Sequence, residues 1–360
     1  MTVRKIAGVL PFLLALALVQ PLAGQSMQEH EWTRHRPDAH GPVGLSEDFT
    51  LPLGELSVGL KFINRRLEGQ GLGTDSVSTN QVFNAYTFAP TELVTQGAQL
   101  DVAMGVMEHL TVGLKGTFAT KNLSQWTLDP DNANLVWISE TRNTGLRDVK
   151  LTALYDLFQQ GPIRAHLKGG FSVPLGGTDA TGEVVDPVNP GGADVEVQLP
   201  YQQQLGSGTF DLLPGFTTSI QNETASLGLQ GNAIIRVGEN DRGWALGDVY
   251  TGTVWGAYKA SDHISVSMAG RFTKWGNVDG FDEDLALTAV YDSPAYNSLQ
   301  EGWIAEIPMG LNILMPEGRL SGHRLGVEVV FPVHQSLDWI QFRHDWSVVV
   351  GWKKTFSMEF

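Results

Sequence analysis

The chain contains no cysteine in 360 residues. That absence excludes disulfides, thiolate metal centres and a cysteine nucleophile. It also removes the residue on which a lipoprotein anchor is built. Basic residues are scarce: 24 Lys and Arg stand against 39 Asp and Glu, a formal net charge of −15. Nucleic acid needs clustered cations to displace counterions, so it is not an expected partner. Long apolar runs are missing too. Past the N-terminus nothing approaches the roughly 18 uninterrupted apolar residues of a membrane helix. What is plentiful is glycine, 41 residues, in a chain that is 42% hydrophobic and only 18% charged. That balance leans towards β-structure.

The N-terminus reads as an export signal. Arg4 and Lys5 precede an apolar run, Ile6 to Val19, and small residues follow at Ala23 and Gly24, the basic–apolar–small order of a secretory peptide. The expected organisation is a cleaved signal peptide over 1–24, an N-terminal periplasmic segment over 25–54, and one domain over 55–360.

That domain is dominated by alternation. From Trp346 to Phe360 one face carries Trp346, Val348, Val350, Trp352, Phe356, Met358 and Phe360, and only Lys354 breaks the row. Successive strand side chains point to opposite faces, so the segment has a greasy side and a polar side. The period recurs near 55–66, 92–105, 109–121, 145–158 and 162–175, in the Phe210–Ile220 and Leu227–Val237 rows, near 249–257 and 264–272, and in the Trp303–Ile313 and Leu325–Val333 rows. These strands of about ten to fourteen residues suit a tilted membrane crossing better than the five or six of an ordinary sandwich. Short connections near 106–108, 159–161, 221–224, 260–262 and 315–322 alternate with long ones at 67–91, 122–144, 176–206, 238–247, 277–301 and 334–343. The expected fold is all-β: a closed antiparallel transmembrane β-barrel of about 12 strands, with short periplasmic turns and long extracellular loops. Closure is obligatory, because an open edge in hydrocarbon leaves N–H and C=O groups unpaired. Trp303, Trp346 and Trp352 suit interfacial girdles. Trp352, Phe356, Met358 and Phe360 resemble the terminal signal read by outer-membrane barrel assembly machinery.

If the apolar rows face lipid, the opposite rows face the lumen. The candidate pore-lining residues are Lys61, Asp101, Lys115, Asp148, Lys150, Asp156, Arg164, His166, Lys168, Asp211, Arg236, Arg271, Glu306, Glu328 and Lys353, with Arg65 and Arg324 on the same rows. Mixed charge there fits two readings: neutralising pairs that hold a narrow barrel together, or a pathway whose pattern selects a polar or amphipathic solute.

At Gly145-Leu-Arg-Asp-Val-Lys-Leu-Thr-Ala-Leu-Tyr155 and Gly170-Phe-Ser-Val-Pro-Leu-Gly-Gly177 the chain resembles the outer-membrane transporters of the MetA-pathway phenol-degradation family. Arg147 stands at the second Gly of that family's start motif, and Gly176 replaces a Thr. Arg36–His40, Leu199-Pro-Tyr201, Gln204–Pro214, Val237–Gly243, Lys274-Trp-Gly-Asn277 and Gly322-His-Arg-Leu325 also fit, so the resemblance runs from about residue 36 to 360. It implies a bacterial outer-membrane location and uptake of small hydrophobic or aromatic solutes. Some members carry His- and Met-rich N-termini suggestive of metal handling; here His30, His35 and His40 remain without the Met run.

Other chemistry is weakly signalled. Histidines five residues apart on a segment expected to be mobile do not preorganise a metal site, which favours chance or surface use. The acidic run Asp279, Asp282, Glu283 and Asp284 lacks the glycine spacing of a Ca²⁺ loop and reads as a solvated or lipopolysaccharide-bridging loop. Gly238–Gly243 reads as a tight charged turn. Ser172 and His166 share a strand face but lie roughly 20 Å apart at about 3.3 Å per residue, and no G-x-S-x-G elbow is present. The expectation is a non-enzyme without metal or cofactor. Its partners would be outer-membrane lipid and lipopolysaccharide, the assembly machinery and a small-molecule solute. The alternative is a plugged structural or adhesive barrel whose long loops bind partners.

Overall fold

The computed structural model describes residues 30–358 apart from 133, 134 and 290. The expected signal peptide, and Phe360 of the expected assembly signal, lie outside these residues.

The wall is built from β1 (Glu55–Gly73), β2 (Phe88–Met107), β3 (Leu110–Leu128), β4 (Val136–Leu146), β5 (Val149–Gln160), β6 (Ile163–Val173), β7 (Phe210–Leu212), β8 (Gly215–Gln221), β9 (Ala225–Val237), β10 (Val249–Lys259), β11 (Ile264–Trp275), β12 (Gly302–Leu314) and β13 (His323–Ser357). Each pairs antiparallel with its neighbours, and β13 returns to β1, so the sheet closes. Eleven strands make the ring. β4 prolongs the crossing of β5 along β3, and β7 prolongs that of β8 between β6 and β9. An all-antiparallel ring needs an even number of crossings, and β13 supplies the extra one. Along its 35 residues Arg324 opposes Leu314, Leu337 opposes both Gly302 and Gly73, and Ser357 opposes Glu55. The segment therefore climbs against β12 and descends against β1, which gives the twelve crossings that the alternation implied.

Outward positions are apolar where the wall meets hydrocarbon: Phe62, Val254 and Met268 are more than half exposed. In β1 the outward row is Leu56, Val58, Leu60 and Phe62. It then turns polar at Asn64, Arg66 and Glu68, where Arg66 meets Glu92 at 2.6 Å. At 19 residues and about 3.3 Å each, β1 runs about 60 Å, well beyond an apolar band about 25 Å tall. Trp346 sits opposite Arg66, at the border where an interfacial ring belongs.

Three expectations need correction. The stretch 122–144 is mostly not loop: β3 continues to Leu128, and β4 pairs with it from Val136. This upper hairpin stands above the apolar band, so Glu140 and Arg142 interrupt its outward face between Ile138 and Leu146 and no continuous greasy row forms. The expected long connection 334–343 is the tight reversal inside β13, where Gln335 and His344 exchange bonds (Nε2 to O 3.2 Å, N to Oε1 3.0 Å). Strand lengths reach 19–20 residues in β1, β2 and β3, rather than ten to fourteen.

The long connections fold over the barrel mouth. Tyr201, Trp244, Val278, Leu285, Ala289 and Ala295 form one buried cluster there, and Val82, Tyr86, Ala89 and Ile340 another. Asp282 is buried beneath this cap. It accepts from Arg242 (2.6 and 2.9 Å), Trp244 Nε1 (3.2 Å) and the first amides of the short helix Glu283–Thr288. The acidic run is thus no solvated loop at Asp282, although Asp284 beside it is exposed. Gly238 and Gly243 flank a turn at positive φ (76° and 80°), as the motif implied.

Candidate functional site

Residues 30–54 form no strand. Their backbone polar groups find partners on the inner wall instead, as buried amides and carbonyls must. Trp32 N donates to Gly161 O (2.9 Å), and Thr33 N to Gln221 Oε1 (2.8 Å). The carbonyl of Asp38 accepts from Ser226, that of Pro37 from Ser265 (2.8 Å), and those of Arg34 and Arg36 from Arg324. Gly44 N donates to Glu328 Oε2 (2.7 Å), and Leu51 N to Thr111 Oγ1 (2.7 Å). These partners come from all around the ring and from the short-turn end. The segment is therefore a plug seated inside the barrel.

Glu47 is its pivot. Among the described residues it is the only non-glycine at positive φ (62°), a strained backbone held by its surroundings. Its carboxylate lies 3.3 Å from Lys115 Nζ and 3.0 Å from Lys168 Nζ. Its carbonyl accepts from His166 Nε2 at 3.0 Å. Burial works to raise the Glu47 carboxyl, but Lys115 and Lys168 outweigh it and hold it at about 2. Beside it Lys61 Nζ donates to Ser46 Oγ (2.8 Å) and Leu45 O (3.2 Å), and Gln230 to Ser46 O (3.1 Å).

Most candidate lining residues converge on this plug. Besides Lys61, Lys115, His166 and Lys168, Asp156 accepts from Thr50 Oγ1 at 2.7 Å. Arg164 donates to Thr50 (2.9 Å) and lies 3.8 Å over the Trp32 ring. Lys353 sits 3.8 Å over the Phe49 ring, and Arg271 reaches Glu328 (3.3 Å) and Glu306 (3.5 Å). Asp101 lies 3.9 Å from Lys115. Lys150 lines the cavity beside Glu47, and its side chain makes no hydrogen bond or ion pair among the described residues.

The others stand apart. Asp148 fastens the mouth loop by accepting from Gly176 N (3.0 Å), Ser207 N (2.8 Å) and Ser207 Oγ (2.8 Å). Asp211 takes Ser172 (2.6 Å), Thr209 (2.7 Å) and Arg236. Glu306 also meets His344 at 2.8 Å. Ser172 and His166 thus have different partners. In the terminal group, Phe356 is exposed, Trp352 Nε1 donates to His323 Nδ1 (3.0 Å), and Met358 N donates to Gly54 O (2.8 Å).

Inspection of the sequence missed Glu47, Asp38, Arg36 and Thr50, whose partners lie up to nearly three hundred residues away. The local signals were the Arg36–His40 stretch of the family resemblance and the Gly41-Pro42-Val43-Gly44 turn chemistry. Surface use for the histidines is overturned at His40, which packs edge-on to Phe49 (4.3 Å) and bonds Asp48 at 3.0 Å. No His, Asp and Glu group able to hold a metal occurs among the described residues.

Two cavities flank Glu47. One, of about 130 Å³, is bounded on the plug side by Pro42, Val43, Leu45, Phe49 and Leu51. The other, of about 220 Å³, is lined by Lys115, Lys150, Lys168 and Arg271 against only Glu47 and Glu328. Pro42, Leu45, Ser46, Glu47, Lys115 and Thr152 belong to both.

No family model and no curated protein matches the chain. The structure is similar to that of an outer-membrane channel from Pseudomonas putida F1, at 12% identity and a TM-score of 0.57, covering 87% of this chain and 99% of that one. The chain thus shares the fold of an outer-membrane channel. Toluene transporters from Ralstonia pickettii (12% identity, TM-score 0.44, 92% and 99% covered) and Pseudomonas putida (10%, 0.40, 91% and 95%) align more loosely and add no argument.

Proposed function

We propose that the protein is a bacterial outer-membrane channel that admits a small hydrophobic or aromatic solute, as the MetA-pathway resemblance implies, and that it is not an enzyme. The observation that carries this reading is the closed wall around a cavity-bearing lumen. An apolar belt faces outward, and the interior holds two adjoining spaces between the barrel wall and the plug. A space of about 130 Å³ with apolar plug residues on one side is near the size of the apolar cavity, about 150 Å³, that takes benzene. The charged lumen residues line and order this path.

Flux of neutral aromatic alcohols into proteoliposomes, together with planar-bilayer conductance, tests the reading. The expected result is solute entry above the protein-free rate; no flux and no conductance would overturn it. The plug and cap favour one second reading, a closed barrel whose loops bind partners. On that reading, loop deletions abolish binding to cells or surfaces while flux stays at the protein-free level.

A further inference from the structure

The two cavities beside Glu47 differ in chemistry and share a wall. In the larger one four cations face two carboxylates, and both carboxylates are already engaged: Glu47 by Lys115 and Lys168, Glu328 by Gly44 N and Arg271. Lys150 is left over. It is half-buried in the wall, with Lys115 opposite on one neighbouring strand and Ser172 on the other. An ammonium withdrawn from bulk water without a counter-charge is costly, and Lys150 has no carboxylate partner among the described residues. The plug itself shows what chemistry fits, because the resident ligand of the lysine cluster is a carboxylate. On the other side of the shared wall the plug presents Pro42, Val43, Leu45 and Phe49, an apolar face for a ring, while Lys61, Asp101, Arg324 and Lys353 line the rest of that cavity.

We propose that the adjoining cavities form one binding site for a small aromatic carboxylate, its ring against the plug's apolar residues and its carboxylate on Lys150 beside Lys115 and Lys168. This deepens the channel reading and rests on it for its physiological sense, although binding can be measured without transport. Glu47 competes for the same lysines. A bound carboxylate therefore weakens the ties of Glu47, and with them the seat of the plug.

Calorimetric titration of the full-length protein in detergent with benzoate, benzyl alcohol, acetate and chloride tests the assignment. Benzoate is expected to bind more tightly than each of the others. Lys150→Gln should weaken benzoate by about tenfold or more, the scale of one charge-assisted hydrogen bond, while Lys150→Arg stays within about threefold. Glu47→Gln should tighten benzoate by freeing Lys115 and Lys168. Equal affinity for benzoate and benzyl alcohol overturns the proposal, as does equal affinity for benzoate and acetate. So does benzoate binding that Lys150→Gln leaves unchanged. If Lys150→Gln does not fold, Glu47→Gln decides, and unchanged or weaker benzoate binding in it sinks the site. Proteoliposome flux run in parallel separates the two claims. Benzoate binding without any flux retains the site and removes the channel; flux without selective benzoate binding does the reverse.

Discussion

Two buried aspartates in the mouth cap respond to pH in opposite directions. For Asp282, burial works to raise the carboxyl, but the hydrogen bonds and charge of Arg242 outweigh it, and the pKa falls below its ordinary 3.8. Its contribution is therefore present above about pH 4 and lost as the carboxylate is protonated below that. Asp292 is buried, with Oδ1 unpartnered among the described residues, and burial alone pushes it up to about 7. Between pH 4 and 7 the unfolded chain has released this proton while the folded cap still holds it, so the cap loses stability as pH rises through that window. Hydrogen exchange over residues 276–301 should show greatest protection near pH 4–5 and a decline towards neutrality. Asp292→Asn should flatten the decline; a decline that survives this substitution excludes Asp292 as its source. Asp282→Ala removes one of two carboxylate partners of the partly exposed Arg242 guanidinium and a helix cap together, and should cost the cap about 1–3 kcal/mol, read as protease sensitivity at 276–301 with the barrel wall intact.

At the scale of elements, the wall was legible wherever one face meets lipid. Leu56, Leu60 and Phe62 lie opposite Phe356, Trp352 and Val350 in the ring, and period-two reading found both rows. Legibility ended where the physics of one greasy face ended. Above the apolar band β4 presents Ile138, Glu140 and Arg142 outward and Ser139, Thr141 and Asn143 inward, so no hydrophobic period marks it. The reversal near Leu337 carries Ser336 and Asp338 but no Gly, Pro or Asn, so the sequence placed a connection at 334–343 without showing how tight it is. The plug was invisible for a different reason: its order comes from bonds to distant strands, not from its own period. Its seat is nonetheless tight. A side chain at Gly105 would collide with the carbonyls of Leu51 and Pro52, which are backbone atoms and cannot swing aside. Gly105→Ala should therefore lift the base of the plug at a cost of about 1–3 kcal/mol. The measurement is thermal unfolding in detergent, with heat-modifiable gel mobility as the check that the ring still closes; an unchanged midpoint would mean the seat is looser than its contacts imply.

Across the whole molecule, charge is unevenly placed. The chain is acidic by 15 charges, yet the larger lumen cavity is lined by more cations than carboxylates, so the excess acid lies elsewhere, in places such as Asp129, Asp131, Glu183, Asp186 and Glu196 on the mouth-side connections. An acidic rim above a cationic interior gives a permeating ion two opposed fields, the outer one screened over about 8 Å at physiological salt and the inner one screened less. With the plug in place, Glu47 and Glu328 cancel part of the inner field. Deleting residues 30–48 removes the Glu47 carboxylate and every tie from Trp32 to Gly44, but leaves Leu51 and Gly54 to close the base. The expected outcome in planar bilayers is a conductance several-fold above that of the full chain, with the reversal potential in a KCl gradient moving towards chloride selectivity. Glu47→Gln, which keeps the plug and removes only its charge, should move the reversal potential in the same direction with a smaller rise in conductance. If the deletion changes neither quantity, the mouth cap and not the plug sets the resistance, and the loops at 178–209 and 276–301 become the elements to open.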